Sequence, residues 1–272
     1  MLIAQISDLH LLADGTLLGG QVDTQAALDA CIAHIAAFEP APDVVLATGD
    51  LTQDGLPEDY ALLRAAFNRL PMPVYVIPGN HDDRANLRAG FADGGYLPKT
   101  GAFLHYALDA YPLRLIGLDT LIENEVGGRL CPVRLRWLED RLSEHREKPT
   151  VIFMHHPPFA TGIAFMDRPR FQGAEELEGL IRRFSQVRLI TCGHVHRAIQ
   201  TQWAGTLAAV APSIVFQMAL ALSEDAPSAF VLEPPAVSLH LWQQDRGPII
   251  VTSPIGDFGP QHRFHPEPAE PV

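Results

Sequence analysis

The chain has 272 residues, 47% of them hydrophobic and 19% charged, a balance that builds a large buried core and excludes disorder. With 32 acidic against 20 basic residues the formal charge is -12, which excludes a field that tracks nucleic acid backbones or anionic membranes. The three cysteines, Cys31, Cys131 and Cys192, are too few and too scattered for a disulfide framework and read as packed thiols of a cytoplasmic protein.

Residues 1–6 are mostly apolar and run straight into Asp8, the pattern of a strand and not of a signal peptide. No stretch is apolar enough to cross a bilayer. After a loop punctuated by Gly15, Gly19 and Gly20, Asp23 or Thr24 caps a helix whose apolar stripe is Leu28, Cys31, Ile32, Ile35 and Phe38. Pro40 and Pro42 end it, and 44–48 is a second strand that stops at Gly49-Asp50. Pro57 suits the first turn of a helix carrying Tyr60, Leu63, Phe67 and Leu70. A third strand, 74–77, delivers Gly79-Asn80-His81-Asp82, and a short helix follows at 84–89.

Residues 103–108 and 113–118 read as two strands, 132–145 as a helix, and 151–154 as a strand that ends at His155. Residues 174–184 are helical and 187–192 form a strand ending at Gly193-His194. Short strands at 199–203, 206–211, 230–232 and 237–242 precede a Pro-rich tail from Ser253 on. The expected fold class is α/β with a β-rich C-terminal part. The expected division is a core over 1–212 and an extension over 213–272 that caps the core or contacts a second subunit.

Five pieces carry chemistry: Asp8-Leu9-His10, Gly49-Asp50, Gly79-Asn80-His81-Asp82, His155-His156-Pro157-Pro158 and Gly193-His194-Val195-His196. Each follows a strand, the place where α/β folds bind ligands. Asp8 and His10, two apart on an extended segment, point to one side and reach one metal. Gly49 lacks a Cβ, so backbone and metal approach closely at Asp50, whose two oxygens can serve two ions. Asn80 adds a carbonyl oxygen; His155, His194 and His196 add nitrogens. Mixed imidazole and oxygen donors without thiolate suit Zn, Mn, Fe or Co. Taken singly, each piece has an ordinary reading as a turn, a cap or a packed histidine.

Together, in this order, they resemble the calcineurin-like metallophosphoesterase superfamily. Gly49-Asp50-Leu51-Thr52-Gln53-Asp54-Gly55, Pro78-Gly79-Asn80-His81-Asp82 and Met154-His155-His156-Pro157-Pro158 narrow the likeness to bacterial class III cyclic nucleotide phosphodiesterases and their glycerophosphodiesterase relatives. The resemblance implies a four-layer α/β/β/α sandwich and two divalent or mixed-valence transition metal ions. Asp8, His10 and His196 would bind one ion, Asn80, His155 and His194 the other, and Asp50 would bridge them. Two ions about 3.5–4 Å apart hold a hydroxide that attacks phosphorus. His81, beside Asn80 at the substrate, would protonate the leaving oxygen or stabilise phosphoryl charge. Asp82 either orients His81 or caps the helix before Arg84.

The expected substrate is a small soluble phosphodiester, a cyclic nucleotide or a glycerophosphodiester. Two divalent ions, less two carboxylates and a hydroxide, leave a single positive charge, matching a diester anion. Protein phosphatases of the superfamily carry an Arg where Asp54 stands, which counts against that activity. Arg84 and Arg197 lie near the motifs, as charge suppliers or as solvated surface. Phe216 stands where glycerophosphodiesterase relatives often carry a His, leaving room for a nucleobase to stack or for simple packing. The alternatives are a phosphomonoesterase or nuclease on the same metals, and a non-catalytic scaffold. Neither a nucleic acid polymer nor a membrane is an expected partner. A homo-oligomer is implied, with 214–222 as a candidate contact. His262 and His265 in the tail read as surface residues or as neighbours of the pocket mouth.

Overall fold

A computed structural model describes residues 1–244, 246–260 and 262–264. His265 and the last prolines of the tail lie outside the described residues. The first half of the chain alternates strands and helices: β1 Leu2–Ile6, α1 Thr24–Ala36, β2 Val44–Thr48, α2 Pro57–Phe67, β3 Val74–Ile77 and α3 Arg84–Gly90. Then come β4 Tyr106–Leu108, β5 Arg114–Leu118, α4 Pro132–Glu144, β6 Thr150–Met154, α5 Ala164–Asp167, α6 Ala174–Ile181 and β7 Val187–Cys192. The β-rich end holds β8 Ile199–Trp203, β9 Thr206–Val210, β10 Gln217–Met218, β11 Phe230–Val231, β12 Ala236–Gln243 and β13 Gly247–Pro254.

Two sheets result. The first has the order β13-β12-β1-β2-β3 and the second β4-β5-β6-β7-β9-β8, while β10 and β11 pair by themselves. Strands β1, β2 and β3 are parallel, as are β5, β6 and β7. Such strands are covered on both faces and so read as unbroken apolar runs. Alternate side chains show the layering. Leu115, Val151, Phe153 and Leu189 join the core that also holds β1, β2 and the α1 stripe Leu28, Cys31, Ile32 and Ile35. Their neighbours Ile116, Ile152, Met154 and Ile190 face the other way, onto Leu138 and Leu142 of α4 and Leu177, Leu180 and Ile181 of α6. Helices, sheet, sheet, helices is the four-layer arrangement expected.

The segment 213–272 contributes β12 and β13, which complete the first sheet at the side of β1. Strand β13 lies mostly in a stretch for which the sequence predicts no element and overlaps the Pro-rich tail only at Ser253 and Pro254. It is an edge strand on which Ile249 and Val251 stay exposed, and its Pro248 and Pro254 sit at its two ends, where a missing N–H is tolerated. Helix α5 has too few turns to display a period. Within 214–222, Ile214 is buried while Leu220 and Leu222 are exposed. No helix among the described residues is long and apolar enough to cross a membrane.

Candidate metal centre

The two parallel triplets present their carboxyl ends at one edge of the sandwich, and the five motifs leave the sheets there. Main-chain hydrogen bonds lace the exits together. Asp8 N–H donates to the Gly49 carbonyl at 3.1 Å, His10 N–H to the Asp50 carbonyl at 2.9 Å, and Gly193 N–H to the His155 carbonyl at 2.9 Å. The Ser213 hydroxyl donates to the Asp8 carbonyl at 2.8 Å.

The chain turns sharply at these exits. Asp8 (φ 56°), His10 (φ 45°), Asp50 (φ 47°), His194 (φ 72°) and His196 (φ 52°) are all left-handed. Among the described residues only Asn124 and Ala204 join them as non-glycine residues there. Each such residue costs of order 1–3 kcal/mol, and this strain gathers at functional sites. Asp and His tolerate it better than most. Asp8 and His10 therefore do not share an extended segment as expected; a left-handed kink at each turns both side chains inward.

Two glycines make room. A Cβ on Gly49 would lie 2.5 Å from His155 Nδ1 and 2.7 Å from Gly79 N, so its absence lets the β2 exit pack directly on His155 and Gly79. A Cβ on Gly193 would meet Ser7 Oγ at 1.9 Å and Asp8 Oδ2 at 3.0 Å.

All the expected ligands come together. Asp8, His10, Asp50, His155, His194 and His196 are buried. His10 Nε2 lies 3.2 Å from His196 Nε2 and 3.7 Å from Asp50 Oδ2. His196 Nε2 is 3.5 Å from Asp8 Oδ1. On the other flank, His155 Nε2 is 3.3 Å from Asp50 Oδ2 and 3.2 Å from Asn80 Oδ1. Donor atoms of Asp8, His10 and His196 lie within 4.8 Å of one another, as do those of Asp8, Asp50 and His155.

The proton positions follow from the partners. His10 Nδ1–H donates to Gln53 Oε1 at 2.9 Å, His155 Nδ1–H to the Thr48 carbonyl at 2.8 Å, and His196 Nδ1–H to the Phe216 carbonyl at 3.1 Å. Burial keeps His10 and His196 neutral, so each of their Nε2 atoms carries its lone pair into the centre, the arrangement of imidazoles that bind metals, while His155 turns its Nε2 toward Asp50. Two such lone pairs 3.2 Å apart, beside buried carboxylates, call for a cation between them. The donors fit divalent metal ions.

Burial pushes the Asp8 carboxyl up to about 7, and pushes His10 down to about 4 and His194 down to about 3. Burial also opposes the charges on Asp50 and His155, but their mutual attraction wins: Asp50 is held well below the usual carboxylate range and His155 is raised to about 9. Asp50 and His155 thus face each other as an ion pair, 3.3 Å apart.

His81 is half-buried. Its N–H donates to Asp50 Oδ1 at 2.9 Å, its Nδ1–H to the Gln53 carbonyl at 3.0 Å, and its ring stands edge-on to His10 with centroids 4.7 Å apart. His156, also within donor reach of His155 and His194, has both nitrogens engaged: Nδ1 accepts from Thr120 Oγ1 at 2.8 Å and Nε2–H donates to the Val126 carbonyl at 3.1 Å. Phe216 packs its ring on His196, with centroids 4.5 Å apart, and on His10, at 5.9 Å.

Neither reading of Asp82 holds. The cap of α3 is Asp83, which accepts from Asn86 N. Asp82 instead accepts from the main-chain N–H of Leu51, Thr52 and Gly79 and from the Tyr60 hydroxyl, tying the exit of β2 to that of β3. Arg84 is committed to Asp119 through two hydrogen bonds, at 2.7 and 2.9 Å. Arg197 is bound by Glu233 and the Met218 carbonyl. Nothing in the sequence marks Gln53, Thr48, Thr120 and Ser213 as functional; they act through main-chain atoms or hydrogen bonds to distant loops, which leave no spacing pattern.

The model of the calcineurin-like phosphoesterase family matches residues 1–198. The probable glycerophosphodiester phosphodiesterase GpdQ of Arcobacter nitrofigilis is 40% identical over 271 residues, 99% of each chain. The 3',5'-cyclic adenosine monophosphate phosphodiesterase CpdA of Escherichia coli is 29% identical over 217 residues, 79% of this chain and 76% of that one. Among solved structures, a dimetal phosphatase from Danio rerio has a TM-score of 0.62 at 15% identity, covering 94% of this chain and 99% of the other, a likeness of fold alone. A family model spanning all five motifs, and a relative alike from end to end, lead to one conclusion: this chain belongs to the calcineurin-like phosphoesterase family.

Proposed function

We propose that the chain hydrolyses a small soluble phosphodiester at a pair of divalent transition metal ions. Asp8, His10 and His196 hold one ion, Asn80, His155 and His194 the other, and Asp50 lies between. The observation that carries this reading is the triplet His10, His155 and His196, each with Nδ1–H bound to an acceptor and Nε2 directed at Asp8 or Asp50. When bound, the ions supply Lewis acidity and neutralise charge on the phosphoryl oxygens. Fe, Mn, Zn and Co all suit these donors.

His81 keeps Nε2 free for substrate because Nδ1 is bound to the Gln53 carbonyl. As the imidazolium, with a second proton on Nε2, it gives that proton to the leaving oxygen or stabilises phosphoryl charge, and Asn80 beside it contacts the substrate. A cavity of about 580 Å³, lined by Phe159, Met166 and Phe171 and bordered by His156 and His194, has room for an organic arm of the diester. Within this class, the end-to-end relative named for glycerophosphodiesters favours that substrate, and Phe216, packed against His196, His10 and Phe230, gives a stacked base no added weight. The free cysteines fit a cytoplasmic enzyme. Exposed Leu220, Leu222 and Leu232 suit a contact between copies of the chain, made by the part of 213–272 that precedes β12.

Assaying metal-loaded protein side by side on a glycerophosphodiester, a cyclic nucleotide, a mononucleotide and single-stranded DNA tests the reading. Highest kcat/KM on one of the first two supports it. Preference for the mononucleotide or the DNA replaces it with a phosphomonoesterase or nuclease, and no turnover on any leaves a scaffold.

A further inference from the structure

Gln53 lies in the loop between β2 and α2 and is half-buried. It touches three loops at once. Its N–H donates to the Leu11 carbonyl at 3.1 Å, its side-chain Oε1 accepts from His10 Nδ1–H at 2.9 Å, and its carbonyl accepts from His81 Nδ1–H at 3.0 Å. The exits of β1, β2 and β3 therefore meet on one residue.

The three proposed ligand imidazoles whose Nδ1 is held differ in what holds it. For His155 and His196 the acceptor is a main-chain carbonyl, of Thr48 and Phe216, which any residue would offer. For His10 it is a side chain. A neutral imidazole presents a lone pair at Nε2 only when its proton is on Nδ1. Without an acceptor at residue 53, His10 is free to move its proton to Nε2 or to rotate, and its donor atom leaves the centre.

We propose that Gln53 is a positioning residue whose side-chain carbonyl fixes the His10 tautomer and so sets metal affinity on the His10 side alone. The inference rests on the metal assignment proposed above and adds the residue that sets one of its two affinities. Acceptors behind ligating histidines change metal affinity by about 10–100-fold when removed.

The test compares wild type with Gln53→Met, similar in length but without an acceptor, and Gln53→Glu, which keeps one. Gln53→Ser, too short to reach His10, stands in if the methionine variant does not fold. Each chelated protein is titrated with Co²⁺, and anomalous scattering at limiting Co²⁺ assigns occupancy to each position. The expected result is a loss of about 10–100-fold in affinity on the His10, Asp8 and His196 side in Gln53→Met, with the His155 side unchanged and with recovery in Gln53→Glu. A merely structural role would lower the melting temperature of the metal-free protein without selecting one position. Equal loss at both positions, or no loss, overturns the proposal while leaving the metal assignment standing. Wild type that takes up no Co²⁺ overturns both.

Discussion

Replacing Gly193 by Ala tests the packing that brings the two sheets' motifs together. The added Cβ would lie 1.9 Å from Ser7 Oγ, 2.9 Å from the Thr48 carbonyl and 3.0 Å from Asp8 Oδ2. No rotamer of Ser7 relieves the two other contacts, so the exit of β7 must shift away from that of β1. Overpacking of this kind costs about 1–3 kcal/mol. At about 2–4 °C per kcal/mol this lowers Tm by about 2–12 °C. His194 N–H, which donates to both oxygens of Asp8 at 3.0 and 3.1 Å, moves with the shift, so metal affinity should fall too.

Ser7→Ala alone loses a 3.3 Å hydrogen bond to the Thr48 carbonyl, worth about 0.5–1.5 kcal/mol. In the double variant it also removes the closest clash, so the two changes should couple by about 1 kcal/mol or more. Melting of the four metal-free proteins by calorimetry gives the cycle. A Gly193→Ala protein that melts with wild type, or a double variant whose losses simply add, would refute the reasoning.

Other outcomes follow from the same geometry. His81→Ala should keep both metals, read by elemental analysis, and lower kcat by about 10²–10⁴-fold. Asp50→Ala should weaken both metals and Asn80→Ala mainly one; identical loss of a single metal in both would contradict the shared position of Asp50. Asp82→Asn turns one acceptor into a donor among main-chain amides, and should cost about 1–3 kcal/mol in denaturant unfolding. Burial holds His240 down at about 4, against an unfolded value of about 6.5. The unfolded chain therefore binds this proton first. Stability is full above pH of about 6.5, falls as pH drops toward about 4, and levels off below, with about 3 kcal/mol lost in that window. His240→Gln should remove that share, seen as a shallower Tm against pH.

What the sequence reveals here depends on where the partners lie. The five strand exits were legible because parallel strands buried on both faces are apolar throughout and stop abruptly at Gly or a polar residue, as Val44–Thr48 does before Gly49-Asp50. Ligand identity was legible through the motif order. The backbone that aims Asp8 and His10 was not, because a left-handed φ at Asp or His leaves no mark in composition. Asp82 was unreadable for a different reason: its partners are amides of Leu51, Thr52 and Gly79, and every residue has an amide. Arg84 looked available because Asp119, its partner, lies far along the chain. The exposed alternate face of β13 and its flanking prolines hid a strand that the first sheet needs at its edge.

The most direct measurement is anomalous scattering from crystals of the chelated protein reloaded with Mn²⁺ or Zn²⁺. The account predicts two peaks about 3.5–4 Å apart, one beside Asp8, His10 and His196, the other beside Asn80, His155 and His194, with Asp50 touching both. A single peak, or peaks away from Asp50, would contradict it.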